Sequence, residues 1–460
     1  MKTAFFVLAY IGQFLASCAG KLNAALFGYM ASNGLILGAN AFTKEEIVAF
    51  ERILEGFQDA LVLSRNVSVY TTDSVTMERT SDTIWRPMPY VAQSFDGTDM
   101  TANFKDYTQL SVPASLGYKK SVPWVMTATE LRDALQEQRL GDAARQKLAS
   151  DINVAVMTVA SLQGTLVVKR TTSASGFDDV AQAEAIMNEQ GVQSFDRFMA
   201  LSTRDYNGMA SNLASRALYP NSKPVTAYEK AYVGLVASFD TYKLDYARRL
   251  AAAAGGAGLT MSTLDGATNY YVPKATSTAA TGEVSNVDNR YQSITISDTT
   301  NVAAGDCFTV AALNAVHHIT KQDTGQLKTF RVISVTDGTH LVISPPMITN
   351  QVASDASAEY QNCVINTKAA NSAIVFLNTV AGYANPFWQK DALELLPGRY
   401  AVPADAGTAV MRATTDQGIE MVMQKWYDID TMKTKFRVDT LFGVVNKQPE
   451  MSGIILFSQT

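Results

Sequence analysis

The stretch that decides the fold runs from Thr127 to Gly164, TATELRDALQEQRLGDAARQKLASDINVAVMTVASLQG. Thr127 and Glu130 stand at capping-box spacing, where a threonine hydroxyl and a glutamate three residues on satisfy the orphan N–H groups of a helix start. Leu131, Leu135, Leu140, Ala144, Leu148, Ile152, Val156, Val159 and Leu162 then recur at helical spacing, and Gly164 supplies the stop. The pattern predicts a helix over 127–163, about 35 residues and on the order of 50 Å long at 1.5 Å per residue. Gly141, in its middle, is a candidate bend. A helix this long with one apolar face suits a spine laid across a sheet better than a globular bundle.

Upstream, Thr43 and Glu46 form a second capping box ahead of Ile47, Val48, Phe50, Ile53, Leu54, Phe57, Ala60 and Leu61, which predicts an amphipathic helix over 44–63. From Val67 to Tyr90 the composition turns to Val, Thr, Tyr and Trp, the residues that suit strands. Residues 91–122 are polar, punctuated by Gly97, Pro113 and Gly117, and read as a long hairpin-like excursion from the body.

Downstream, Phe177 to Asn188 reads as helix, and Ser202-Thr203-Arg204-Asp205 as another helix start. Val225 to Ala253 fits either helix or strand, and the small-residue run Ala251 to Gly258 is the best linker. Beyond it, Ile294 to Ile296, Cys307 to Val310, Phe330 to Ile333 and Leu341 to Ile343 are short strand-like runs. Thr336-Asp337-Gly338-Thr339 is a turn between two of them, because Asp-Gly tolerates positive φ. This spacing predicts a compact β-barrel or sandwich over 256–367. Asn371 to Gly382 then looks helical, and Gly418 to Phe457 returns to strands. The organisation expected is an α+β body with an all-β module set inside it.

The 460 residues are 47% hydrophobic, which excludes a disordered chain. Only 18% are charged, below the roughly 25% of ordinary soluble domains. A net charge of −5 argues against a surface built to wrap nucleic acid. Low charge on a long globular chain instead suits a surface covered by partners.

Cys18, Cys307 and Cys363 are too few and too scattered for a disulfide framework or a thiolate zinc site. His317 and His318 would point to opposite faces of a strand, and His340 stands alone, which argues against a metal site or a His-dependent triad. Gly255-Gly256-Ala257-Gly258 lacks the dinucleotide spacing, and no phosphate-cradling loop or nucleophile elbow occurs. Asp428 with Asp430, and Asp178 with Asp179, are carboxylate pairs of the type that serves acid–base or metal chemistry. A solvated, salt-bridging surface is the reading their surroundings favour. Phe387-Trp388 beside Pro386 reads as a buried anchor. Lys119 and Lys120, on the projecting excursion, read as a solvated loop tip, with contact to a neighbour's acidic surface as the alternative. No active site assembles from these residues; the chain is read as a non-enzyme without cofactor or metal.

Seven segments, in order, carry a resemblance. They are Ser81 to Met88; Leu131-Arg132-Asp133 with Ala143 to Ala149; Ala237-Ser238-Phe239-Asp240; Val287-Asp288-Asn289-Arg290; Gly305-Asp306; Val335 to His340; and Asn385 to Trp388 with Asp391-Ala392. Over 40–460 they resemble the major coat protein of short-tailed double-stranded DNA bacteriophages, the type with an inserted β-barrel. The resemblance implies a tailed-phage capsid fold with an N-terminal arm (30–66) and a capsid core in two segments. The first core segment (67–255) carries the extended loop (91–122) and the spine (127–163). The barrel (256–367) follows, and the second core segment (368–460) completes the chain. The resemblance also implies pentamers and hexamers of this chain, a scaffolding protein, a portal protein, and packaged DNA bound without sequence specificity. The virion would be its location, after assembly in the host cytoplasm, with no membrane involved. Thr276 to Ser285 departs from the family's acidic intercapsomer loop: only Glu283 and Asp288 are acidic in or beside it, and these join Lys119 and Lys120 as subunit-contact candidates.

Residues 1–29 have no counterpart in that family. Lys2, the apolar run Ala4 to Leu15 and Leu15-Ala16-Ser17-Cys18 resemble a lipoprotein signal, too short for a membrane span of about 20 residues. Met30 offers an alternative start, and an upstream leader or mis-assigned start is the expectation. The competing class is an exported lipoprotein with a β-rich binding module.

Overall fold

The structure is a computed structural model that describes residues 42, 44–70, 83–89, 91–101, 104, 106–127, 134–215, 235–244, 246–255, 258–262, 270–349, 355–365, 371–400, 402, 408–415 and 417–460. The 1–29 leader with Cys18, the start at Met30, and Thr43, Glu130 and Leu131 to Asp133 lie outside the described residues, as does 225–234 of the ambiguous stretch.

Helix α1 (Lys44–Ala60) is the arm; Phe50, Ile53 and Phe57, three and four residues apart, form its buried face. After β1 (Ser68–Val69), strands β2 (Ile84–Pro87) and β3 (Ser111–Ala114) pair antiparallel as the stem of the excursion. Next come β4 (Tyr118–Thr127) and the spine, α2 (Ala134–Gln163). A second body begins with β5 (Leu166–Lys169), α3 (Phe177–Glu189), β6 (Arg197–Leu201), α4 (Thr203–Ser215), β7 (Leu235–Val236), β8 (Phe239–Lys243) and β9 (Arg248–Leu250). The module contains β10 (Thr260–Ser262), β11 (Thr276–Thr278), β12 (Val284–Asn286), β13 (Gln292–Thr295), β14 (Cys307–Val316), β15 (Asp323–Val335), β16 (His340–Ser344), α5 (Asp355–Glu359), β17 (Cys363–Ile365) and β18 (Asn371–Phe376). The chain returns through β19 (Gly382–Gln389), β20 (Leu393–Pro397), β21 (Ala409–Thr414), β22 (Glu420–Asp428), β23 (Lys433–Asn446) and β24 (Ser452–Leu456).

Three sheets organise these elements. The first has the order β1-β20-β23-β22-β21, with β4 also on β23. The spine and arm bury Leu148, Ile152, Val156 and Phe57 against its Met421, Phe436, Val438 and Phe442. Each such side chain contributes about 1.5–3 kcal/mol of burial. The second sheet runs β5-β24-β19-β6-β8-β7 with β9 on β19, and α3 and α4 pack Val180, Met187, Tyr206 and Met209 against it. Phe198, Ala200 and Trp388 of that sheet join the first core, so the C-terminal half of the spine is enclosed from both sides. That explains why Ile152, Asn153, Ala155, Val156, Met157, Val159 and Ala160 are all buried instead of one stripe. Leu140, expected in the stripe, is exposed.

The third sheet is the module, ordered β10-β18-β14-β15-β16-β13 with β17 on β14, and a bridge between Met261 and Ile296 joins its two ends into a barrel-like closure. Phe308, Phe330, Val332, Leu341 and Ile343 fill it.

Several expectations change. Asn371 to Gly382 is not helical: Ser372 and Ile374 point inward while Ala373 and Val375 point out, a period of two that makes β18 a barrel strand beyond residue 367. The excursion between its stem strands is 88–110, because 111–114 belongs to β3 and Tyr118 onward to β4. Thr127 ends that strand, opposite Lys433. Gly141 marks a close approach, since a Cβ there would lie 2.5 Å from Ile53 Cδ1 of the arm. At the Asp337-Gly338 turn neither residue adopts positive φ; the Asp337 carboxylate accepts from the N–H groups of Thr339 and His340, both at 2.8 Å, and holds the turn itself.

Two outcomes follow from this packing. A fragment spanning 256–378 should give a dispersed NMR spectrum, whereas 256–367, lacking β18, should give a collapsed one. Gly443→Ala, whose Cβ would sit 2.3 Å from the Ser115 carbonyl, should destabilise the monomer by about 1–3 kcal/mol in urea unfolding.

Candidate assembly interface

Lys119 and Lys120 lie within β4, opposite Leu441 and Thr440, and not on a loop tip. Successive strand residues face opposite ways, so Lys119 is exposed while Lys120 is half-buried. Among the described residues β4 pairs only with β23, which makes it a sheet edge. Lysines and Pro123 along an edge strand discourage indiscriminate strand addition. These residues therefore guard an edge at least as much as they offer a contact.

Glu283 stands at the tip of the β11–β12 hairpin, where its carbonyl accepts from Ala279 N–H at 2.8 Å. All six strand residues of this hairpin are exposed, and the two strands form a sheet of their own. Asp288 is at the opposite end and is engaged: its carboxylate accepts from Arg290 Nε at 2.9 Å and Nη2 at 2.7 Å. The hairpin thus separates the two acidic candidates. A second projection is the 88–110 excursion, on which Phe104 is 86% exposed, with Phe95 and Tyr107 also exposed.

The carboxylate pairs divide as well. Asp428 accepts from Asp430 N–H at 3.2 Å and pairs with Lys435 at 3.1 Å, a hairpin-end arrangement on the surface. Asp179 departs from the expected solvated pair. It is fully buried, accepts from Arg170 Nε and Ser175 N–H, both at 2.7 Å, and anchors the N-terminus of α3. Phe387 and Trp388 are buried as expected, Trp388 Nε1 donating to the Asn66 carbonyl at 3.0 Å. Among the described residues no group of three or more His, Cys, Asp or Glu is placed to hold a metal ion.

A charged cluster missed by the sequence reading joins the module to the core. Glu450, between β23 and β24, pairs with Lys328 of β15, accepts from Asn362 Nδ2 at 3.1 Å and faces His318 Nε2 at 3.4 Å. His317 and His318 follow β14 in a turn and are not strand residues on opposite faces. Next to the cluster, Thr329 Oγ1 donates to the Thr165 carbonyl and Arg331 Nη2 to the Ser161 carbonyl, each at 2.6 Å. A cavity of 670 Å³ opens beside it, lined by Met88, Leu110, Arg290, His318, Ile348 and Glu450 among others. Burial pushes Glu450 up, but Lys328, His318 and Lys321 outweigh it and hold it below the usual carboxylate range. Desolvation takes His318 down to about 4, helped by Lys328 and Lys321 and opposed by Glu450. The only signal in the sequence was an isolated Lys or Glu in strand-like surroundings, which does not identify its partner.

The sequence model described as P22 coat protein, gene protein 5, matches residues 38–458. Among solved structures, the CUS-3 coat protein I-domain is 36% identical, covering 27% of this chain and 98% of that one with a TM-score of 0.20. A chain of Mycobacterium phage Che8 is 8% identical at TM-score 0.43, covering 87% of this chain and 92% of its own. The capsid structure of the cyanophage P-SCSP1u is 10% identical at TM-score 0.40, covering 86% and 87%.

The seam cluster gives a pH dependence of definite sign. His318 is neutral in the fold and takes up a proton on unfolding below its ordinary 6.5, and Glu450 loses its pairing as it protonates. The Glu450 contribution is lost only below its ordinary 4.5, whereas the His318 contribution is present at neutral pH and lost as pH falls from about 6.5 towards 4. Urea unfolding across that range should show it, with a shallower slope for His318→Gln.

Proposed function

This chain belongs to the P22 coat protein family and is a major capsid protein, a virion component that assembles with copies of itself into a shell; on that premise we propose how it does so. The 88–110 excursion crosses between neighbouring subunits and the β11–β12 hairpin reaches towards a neighbouring capsomer through Glu283, whereas the arm α1, also expected to cross, packs its Phe50, Ile53 and Phe57 on its own spine. Subunits gather into pentamers and hexamers on a scaffolding protein in the host cytoplasm. The resulting procapsid expands as double-stranded DNA enters through a portal. The module folds autonomously and supports its host body, and the chain acts as a structural protein without catalysis.

The observation that carries this reading is the pair of projections whose outer parts stand clear of the cores: the β11–β12 hairpin, and the excursion beyond its base at Met88, Val91, Thr108 and Leu110. The exposed β11–β12 hairpin and the outer part of the excursion, with Phe95, Phe104 and Tyr107, bury too little within the chain to be held for the monomer's benefit. A weakly acidic chain also suits a container, because tight phosphate binding would oppose packaging and release. Many moderate contacts summed over a closed shell supply stability that no single one provides.

Protein expressed from Met30 with its scaffolding partner should sediment as fast particles that electron microscopy shows to be closed shells. Slow monomer alone would overturn this mode of assembly. Replacing 277–285 by a short glycine linker should leave the monomer's unfolding free energy in urea within about 0.5 kcal/mol of the parent while reducing shell yield severalfold.

A further inference from the structure

We propose that the inserted barrel is a lateral brace that fixes the angle of the 88–110 excursion against the body, with Arg290 as its positioning residue. The stem that carries the excursion is a two-stranded ribbon of four residues a side. An isolated ribbon of that size is marginal in water; one face, Val112 and Ala114, packs on Leu396, Leu441 and Val445 of the core sheet, and what holds its two edges then sets its tilt across that sheet.

Those edges are held by different bodies. Strand β2 is tied to the core: Arg86 donates from Nε and Nη2 to the Glu394 carboxylate of β20 at 2.9 and 2.8 Å, and lies 3.6 Å from the Tyr70 ring centroid. Strand β3 is tied to the module, because Ser111 forms a parallel bridge with Asp288. Asp288 is in turn fixed by Arg290, whose third donor, Nη1, reaches the Asn446 carbonyl at the end of β23 at 2.9 Å. One buried guanidinium therefore joins module, core and stem. Its fork geometry serves both acceptors at once, which a lysine's single ammonium cannot match.

Two neighbouring contacts point the same way. Tyr360 Oη of the module donates to the Thr108 carbonyl of the excursion at 2.8 Å. Leu110 packs with Ile348 and Tyr360, and Met88, Val91 and Tyr271 close the same apolar cluster. Asn289 holds the adjoining backbone, accepting from Tyr271 Oη at 2.9 Å and Lys274 N–H at 3.0 Å, so Asp288 is presented from a fixed turn. The proposal rests on the excursion being an intersubunit element, but its test in the monomer does not.

Hydrogen–deuterium exchange of the full-length soluble monomer reads the brace directly. Arg290→Met should speed exchange in 84–89 and 110–114 by at least tenfold, while β14 and β15 stay protected. Arg290→Lys should fall between Arg290→Met and the parent. Tyr360→Phe, which removes one hydrogen bond and little volume, should speed 106–114 about threefold. Unchanged stem exchange in both Arg290→Met and Tyr360→Phe overturns the proposal, as does equal acceleration across the barrel. Should Arg290→Met not fold, the Tyr360→Phe result decides alone. If the stem loosens as expected but the variants assemble normally, the brace stands and the excursion's intersubunit role falls.

Discussion

Strand β23 is the constraint on which the rest of the subunit depends. Its residues from Lys433 to Phe442 pair with β4, those from Lys433 to Thr440 with β22, and those from Phe442 to Asn446 with β20. A strand hydrogen-bonded along both edges cannot shift register without turning every inward side chain outward. Phe436, Val438 and Phe442 are therefore fixed towards the spine and arm. The end of the strand supplies the Asn446 carbonyl to Arg290, and Glu450 follows a few residues later to meet Lys328. The placement of the module is thus inherited from the register of one core strand.

Charge is sparse in this chain and concentrated at joints. Arg86 with Glu394, Arg290 with Asp288, Lys328 with Glu450 and Lys425 with Glu46 each connect separate elements or hold the turn at which two elements meet. Buried pairs of this kind add little net stability, because desolvation offsets most of their attraction. What they add is direction: a forked guanidinium or a shielded ammonium accepts few geometries. Apolar cores hold each body together, and the ion pairs set how the bodies stand against one another.

The sequence disclosed the elements whose partners are local. The spine was legible because leucines and isoleucines at helical spacing need no knowledge of the sheet beneath them. Strands β14 to β16 were legible from short β-branched runs and an Asp-Gly turn. Strand β18 was misread, because Asn371 to Phe376 becomes a strand only through the β14 and β10 edges that receive it. Lys119 and Lys120 were placed on a tip because polarity reveals exposure but not pairing with a strand that lies far along the chain. The seam failed to register for the same reason: Lys328 and Glu450 are separated by more than a hundred residues, and no short-range pattern encodes their meeting. Asp288 and Glu283 looked equivalent by composition, yet one is bound in a turn and the other is exposed at a tip.

A shell subunit needs stiffness in one place above others. Each leg of the excursion, about eleven residues, can extend to on the order of 35 Å, so a tilt of about 10° at the stem moves the tip by roughly 6 Å. That exceeds the range of any side-chain contact, so a loosely held stem would scatter Phe104 across positions no neighbour could meet. Lengthening the ribbon does not remove the error, because its two strands tilt together. Holding each strand to a different body does, since a tilt must then break Arg86 from Glu394 or Asp288 from its turn. A module inserted far along the chain is well suited to that task. It reaches the side of the stem that the core sheet leaves open, and the core strand that fixes it also fixes the spine.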